Sequence, residues 1–232
     1  ELEWLRIEHE AEAYSFFDDT FTFDNERVRK ICDEMIKRKI NFPWDCQTRA
    51  DKISRELLVK MKKAGCEVVT IGIESASQNI LNSIGKGTTV EQNRKAIEMV
   101  KEAGISVVVS LIIGYPGETL EDVKRTLDFV MKAKPDDVYV CIATPYPGTE
   151  LFNLVREKGW KMSLDWSQYD TLTPVFENPL ISGEKLVEMR TKFYHRFYSP
   201  IYVLRQMFKG GFYNRILARV ALNHIFWRIK SA

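Results

Sequence analysis

Cysteine is scarce and scattered: the four in 232 residues are Cys32, Cys46, Cys66 and Cys141, and no two form a C-x-x-C pair. That spacing excludes a disulfide framework and a zinc clip, and it suits a reducing cytoplasm. No apolar run approaches the ~18 residues of a bilayer-spanning helix, so no segment reads as transmembrane. No secretory leader is expected either, because the opening E-L-E-W-L-R-I-E-H-E is charged and amphipathic rather than basic and then apolar. Acidic residues are missing from Arg190 to Ala232, a stretch with six arginines and three lysines. Since the whole chain carries a formal charge of only +2, the residues before Arg190 are net negative.

Such asymmetry gives the tail something acidic to meet: a membrane surface, a nucleic acid or an acidic face of its own protein, unless it is a solvated helix packed on the main domain. Nucleic acid is not expected, because the cations are spread among apolar and aromatic residues. Peripheral membrane contact suits G-F-Y-N-R-I-L-A-R-V-A-L-N-H-I-F-W-R-I-K better.

What is present is a rhythm. Apolar runs rich in β-branched residues alternate with amphipathic helical patterns, as in βαβ units on a parallel sheet. Five strands are predicted, at residues 13–17, 42–47, 67–73, 106–113 and 137–142. Between them, Asp24 caps a helix with Val28, Ile31, Cys32, Met35 and Ile36 as its buried stripe, and Ser54 caps one that buries Leu57, Leu58, Met61 and Ala64 before Gly65. Thr89 with Gln92 forms a capping box for a helix presenting Ala96, Ile97 and Val100, and Thr119 starts one carrying Val123, Leu127, Val130 and Met131. A weak repeat, K-K-A-G-C-E-V-V and K-E-A-G-I-S-V-V, marks reuse of one βα unit. After Phe152 the strand rhythm fades. A boundary is placed there, with 1–152 as a partial parallel barrel and 153–232 as a mainly helical, basic extension, in which a helix with Leu186, Met189, Phe193 and Phe197 on one stripe ends at Pro200.

In a parallel α/β barrel the chemistry gathers at the C-terminal strand ends. Four such ends stand out. In F-F-D-D-T-F, adjacent carboxylates at Asp18 and Asp19 repel each other and must face solvent, a cation or an ammonium group, or cap the next helix. In T-I-G-I-E-S-A-S, Glu74 closes an apolar strand beside Gly72, which permits close approach of a ligand, although a structural hydrogen bond would explain the glutamate as well. S-L-I-I-G-Y-P-G-E-T and C-I-A-T-P-Y-P-G-T-E-L close two further strands with rigid Pro- and Gly-rich loops.

In this order and at these separations, F-x-D-D-T-F, Q-T-R-A-D, G-I-E-S, I-I-G-Y-P-G-E-T and P-Y-P-G-T-E-L-F resemble the radical S-adenosylmethionine (SAM) superfamily, in particular its cobalamin-associated branch of iron-sulfur oxidoreductases that includes the anaerobic magnesium-protoporphyrin IX monomethyl ester cyclases. The resemblance covers Glu1 to about Phe152. It implies a TIM-like barrel and a SAM site in which Asp18, Asp19 and Thr20 meet the methionyl amine, Gln47 and Glu74 face ribose and methionine, Lys86 meets the SAM carboxylate, Ser110 contacts ribose, and Ile112 and Ala143 flank the adenine. Arg49, Tyr115, Tyr146 and Thr149, next to those positions, become candidates for contact with a small-molecule substrate.

The same resemblance implies a [4Fe-4S] cluster held by C-x-x-x-C-x-x-C, a motif missing from these residues, so no metal ligand is assigned here and the first strand with its cluster loop is expected upstream. Cobalamin is also expected upstream, if it is used. In the family the chemistry is production of a 5′-deoxyadenosyl radical that abstracts hydrogen from substrate, in oxidoreductases and methyltransferases alike. Two alternatives remain. One is an ordinary aldolase-like barrel, for which no strand-end Schiff-base lysine is evident. The other is a cluster-free binding or scaffold module with a basic amphipathic tail.

Overall fold

A computed structural model of the chain describes residues 1–209 and 211–230. Five strands, β1 (Tyr14–Phe16), β2 (Trp44–Arg49), β3 (Cys66–Glu74), β4 (Ser106–Ile113) and β5 (Asp137–Ile142), form one sheet in sequential order. Every pairing is parallel. The result is a partial, TIM-like α/β barrel, with one edge at β1 and the other at β5.

Helix α1 (Leu2–His9) precedes β1; α2 (Asn25–Lys37), α3 (Arg55–Lys63), α4 (Gln78–Ser83), α5 (Val90–Glu102) and α6 (Leu120–Ala133) connect the strands. Their starts follow the sequence. Asp24 accepts from the N–H groups of Glu26 and Arg27, Ser54 from Leu57, and Thr89 and Thr119 each complete a capping box, with Gln92 and Asp122. Their apolar stripes press Leu57, Leu58, Met61, Ala96, Ile97, Val100, Val123 and Val130 onto the sheet, which buries Ile71, Ile73, Val107, Val109, Leu111, Ile113 and Val140 from the other side.

Some expectations need correction. β1 is two residues shorter than the apolar run, and β2 begins two residues later and runs on to Arg49, because Pro43 has no N–H to give a ladder and its carbonyl instead accepts from Tyr14 N. Ile36 is 42% exposed; α2 turns only Val28, Cys32 and Met35 fully inward. Helix α4 was not foreseen, and Pro200 starts a helix rather than ending one.

Beyond β5 lie α7 (Glu150–Glu157), α8 (Gly183–Phe197), α9 (Pro200–Lys209) and α10 (Phe212–Lys230). Their buried side chains, Leu186, Phe193, Phe197, Tyr202, Val203 and Ala221, join the hydrophobic core of the barrel. Helix α8 also covers the free edge of β5. Tyr194 OH accepts from Val140 N at 2.8 Å and Arg190 Nε donates to Val140 O at 2.8 Å. Side chains thus satisfy edge groups that would otherwise offer a template for another strand. At the opposite end of the barrel from the strand C-termini, Tyr213 N donates to Glu67 and Ser106 Oγ to Asn214, so the start of α10 closes the barrel floor. No helix among the described residues is long and apolar enough to cross a membrane. The side chains of residues 224–230, the end of the segment read as suited to membrane contact, lie outside the described residues.

Candidate functional site

The C-terminal ends of β3, β4 and β5 surround a cavity of about 630 Å³. Its size is that of an ordinary small-molecule site. Of the residues assigned to SAM, Glu74, Lys86, Ser110, Ile112 and Ala143 line it; of the substrate candidates, Tyr115, Tyr146 and Thr149 do. Asp18, Asp19, Thr20, Gln47 and Arg49 do not.

Glu74 occupies its place through a β-bulge. Gly72 pairs with Ser110 and Glu74 with the next residue, Leu111, so Ile73 is the extra residue, and Glu74 itself takes a left-handed φ of 56°. A non-glycine residue there costs on the order of 1 kcal/mol, held by surrounding structure. The surroundings are specific. Asn93 Nδ2, buried on α5, donates to Ile73 O at 3.1 Å, and Ala76 N donates to Thr126 Oγ1 on α6 at 3.0 Å.

Lys86 Nζ meets Glu74 Oε1 at 2.7 Å, and both side chains are only 14% exposed. The lysine expected to face a ligand carboxylate already faces one of the protein's own. Gly72 serves this pair: a Cβ on it would lie 2.5 Å from Glu74 Oε1 and 2.9 Å from Lys86 Nζ. The glycine makes room for the ion pair, whereas the sequence had suggested room for a ligand. Arg49 supports the same group. Its Nη2 donates to Lys86 O at 2.6 Å and its Nε to Asp51 at 2.9 Å, so it fixes the lysine loop.

At the end of β4, Gly114 takes a positive φ of 84°. Its N–H donates to Glu118 Oε2 at 2.5 Å and its carbonyl accepts from Asn178 Nδ2 at 3.1 Å. Glu118 is fully buried, its Oε1 has no partner, and burial pushes its carboxyl up to about 7. Asn178 and Thr171, both from the extension, were missed by sequence reasoning. Thr171 O accepts from Ile142 N at 2.7 Å and closes one wall of the cavity, while Tyr146 OH donates to Tyr169 O at 2.7 Å. Glu118 stands in the G-Y-P-G-E-T stretch, and its signal was a carboxylate placed just past a buried strand. Nothing local marks Asn178 or Thr171.

The loop after β1 lies beside the end of β2. Phe21 N donates to Gln47 O at 2.9 Å, and the Thr22 and Thr48 hydroxyls are paired. Asp18 forms an ion pair with Arg27 of α2 at 3.0 Å, Asp19 is exposed, Thr20 O accepts from Phe23 N, and the Gln47 side chain is exposed on the barrel side of β2.

Three of the chain's four thiols do not fit an iron-sulfur cluster, and the fourth, Cys141, has no companion thiol at the cavity. Cys32, Cys46 and Cys66 are wholly buried between α2, β2 and β3, where burial pushes Cys32 up to about 11 and Cys66 well above its ordinary value, and a cluster ligand must be a thiolate. Among the described residues no three His, Cys, Asp or Glu side chains converge on a metal position. SAM is a different matter: apolar Ile112, Ile142, Ala143 and Leu151 and polar Glu74, Lys86, Ser110 and Thr144 line one cavity, a mixture that suits an amphipathic nucleoside.

A family model, the Radical SAM superfamily, matches residues 1–130. The chain belongs to the radical SAM superfamily. It is 33% identical to an uncharacterised methyltransferase of Pyrococcus horikoshii over 90% of this chain and 46% of that protein. It is 31% identical to the anaerobic magnesium-protoporphyrin IX monomethyl ester cyclase of Rubrivivax gelatinosus over 85% of this chain and 36% of the cyclase. The chain therefore spans less than half the length of these relatives. Among solved structures, the cobalamin-dependent SAM radical enzyme OxsB shares the fold over 96% of this chain and 40% of its own, with a TM-score of 0.62 at 18% identity. The radical SAM methyltransferase TsrM of Kitasatospora setae does so over 68% of this chain and 32% of its own, at 0.61 and 19%.

Proposed function

We propose that this radical SAM chain is the SAM-binding barrel of an oxidoreductase or methyltransferase that acts on a small-molecule substrate. The observation that carries the reading is the single cavity at the ends of β3, β4 and β5, in which five of the nine positions assigned to SAM come together from four separate stretches of sequence. The adenosine half packs between Ile112 and Ala143, with Ser110 and Glu74 toward the ribose. Lys86 exchanges its Glu74 partner for the ligand's carboxylate, a charge-assisted contact of about 1.5–3 kcal/mol. Asp18 and Asp19 take the amine when the methionyl end reaches across the rim toward β1. Tyr115, Tyr146 and Thr149 form the wall that a substrate would meet, and Arg49 works at one remove by holding the Lys86 loop.

A [4Fe-4S] cluster would supply one-electron reduction of the bound SAM, and no residues that would hold it are found among the described residues. What this chain contributes is binding, orientation and exclusion of water. Cobalamin, named with both solved neighbours, would occupy a part of the protein outside these residues. Calorimetric titration with 5′-deoxyadenosine tests the reading. Binding to the native chain and its loss in Ala143→Trp, which fills the cavity, support it; binding unchanged by that substitution refutes it.

A further inference from the structure

Helix α9 has two unlike faces. Inward, Tyr202, Val203 and Gln206 are buried, with Tyr202 OH donating to Asp136 O at 2.5 Å and Gln206 Nε2 to the same oxygen at 3.1 Å. Arg205 Nη2 donates to Pro135 O at 2.7 Å, and Lys209 is paired with the fully buried Asp136. These contacts fasten α9 to the barrel floor just before β5, at the end opposite the cavity. Outward, Ile201, Leu204, Met207 and Phe208 are 78%, 55%, 61% and 88% exposed. The spacing of 201, 204 and 208 sets them on one helical stripe. Helix α10, packed against α9, adds exposed Ile216 and Val220 beside exposed Arg215 and Arg219.

Three carboxylates are engaged on the inner side of this hairpin and its flank. Asp136 lies beneath Lys209, Asp137 accepts from Tyr198 OH at 2.5 Å, and Glu67 accepts from Tyr213 N. The segment from Arg190 to Ala232 holds no acidic side chain. An outward apolar stripe beside Arg215 and Arg219, which form no ion pair among the described residues, is the pattern of a helix lying in a membrane interface. A second copy of the chain meets this face poorly, because a two-fold contact would set the same cations against themselves. Nucleic acid is matched by the charge but not by four large apolar side chains at the centre of the face.

We propose that the outward face of α9, with α10 beside it, docks the protein on an anionic lipid bilayer. The stripe Ile201, Leu204 and Phe208 enters the headgroup boundary, Arg215 and Arg219 lie among the headgroups, and the cavity mouth at the other end of the barrel faces the aqueous side. The surface is separate from the SAM cavity, so SAM binding reports on neither success nor failure of the docking.

The test is co-sedimentation of the natural polypeptide with vesicles of phosphatidylcholine alone and of phosphatidylcholine mixed with phosphatidylglycerol. The wild type should pellet with the mixed vesicles only and be released by salt. Leu204→Ser with Phe208→Ser should lower partitioning tenfold or more, and each of Arg215→Gln and Arg219→Gln about fivefold. All four positions are exposed, and far-ultraviolet circular dichroism confirms that each variant is folded. No pelleting with the mixed vesicles, or pelleting untouched by the double serine variant, overturns the proposal. So does a dimer of the wild type that the serine variant converts to monomer, because a second copy then covers the face.

Discussion

Glu118→Gln removes one titrating group from beneath the β4 turn. The carboxyl is fully buried, and burial, opposed in part by the N–H groups of Gly114 and Tyr115, lifts it from 4.5 to about 7. Each unit is worth about 1.4 kcal/mol, so ionising this group costs the folded state about 3 kcal/mol more than the unfolded chain. Because the folded state keeps the proton over a range in which the unfolded chain has lost it, the group's contribution is full below the ordinary carboxylate range. It is lost as pH rises toward about 7, and changes little above that. Glutamine keeps an oxygen to accept from Gly114 N but cannot titrate. Urea unfolding of both proteins, followed by circular dichroism from about pH 4 to about pH 8, should show the difference between them shifting by about 3 kcal/mol in favour of the variant as pH rises. Taking the difference cancels the other titrating groups. A difference that stays constant over that range refutes the assignment of a buried, proton-holding Glu118.

Three further outcomes are expected. Gly72→Ala should push the Glu74–Lys86 pair aside, since the added Cβ meets the flexible ends of both side chains; SAM affinity falls several-fold by calorimetry while the melting temperature barely moves. Tyr194→Phe leaves Val140 N without its acceptor at the β5 edge, and the loss of about 1 kcal/mol should appear as a lower melting temperature. A longer natural polypeptide that carries the cluster should bind SAM at least tenfold more tightly than these residues alone, because a cluster would add contacts to the methionyl end; equal affinities in the two contradict the reading that the cavity is one part of a cluster-assisted SAM site.

The sheet was readable because parallel strands covered on both faces leave continuous apolar runs, and four helix starts were readable because capping is a local bargain between a side chain and an N–H two or three residues on. β5 was located to the residue, as was β4, where no proline interferes. The misses are of another kind. Ile36 belongs to the apolar pattern of α2 but faces water, because only one stripe of that helix meets the sheet. The purpose of Gly72 depends on Glu74 and on Lys86, which sits in a loop 12 residues beyond the glutamate. Asn178 lies 64 residues from the Gly114 carbonyl that it holds, a partnership that no periodicity announces. At the site, strand-end position singled out Glu74, and the family resemblance supplied Lys86, Ser110, Ile112 and Ala143, which share the cavity with it. Neither could say that Lys86 would already be paired, or that Arg49 would be committed to the loop beside it.

The most direct test of the account is a crystal structure of the protein with 5′-deoxyadenosine. The adenine should lie between Ile112 and Ala143, with the ribose toward Ser110 and Glu74. A ligand seated elsewhere, for instance in the groove between Lys161 and Glu184 on the extension, would contradict it.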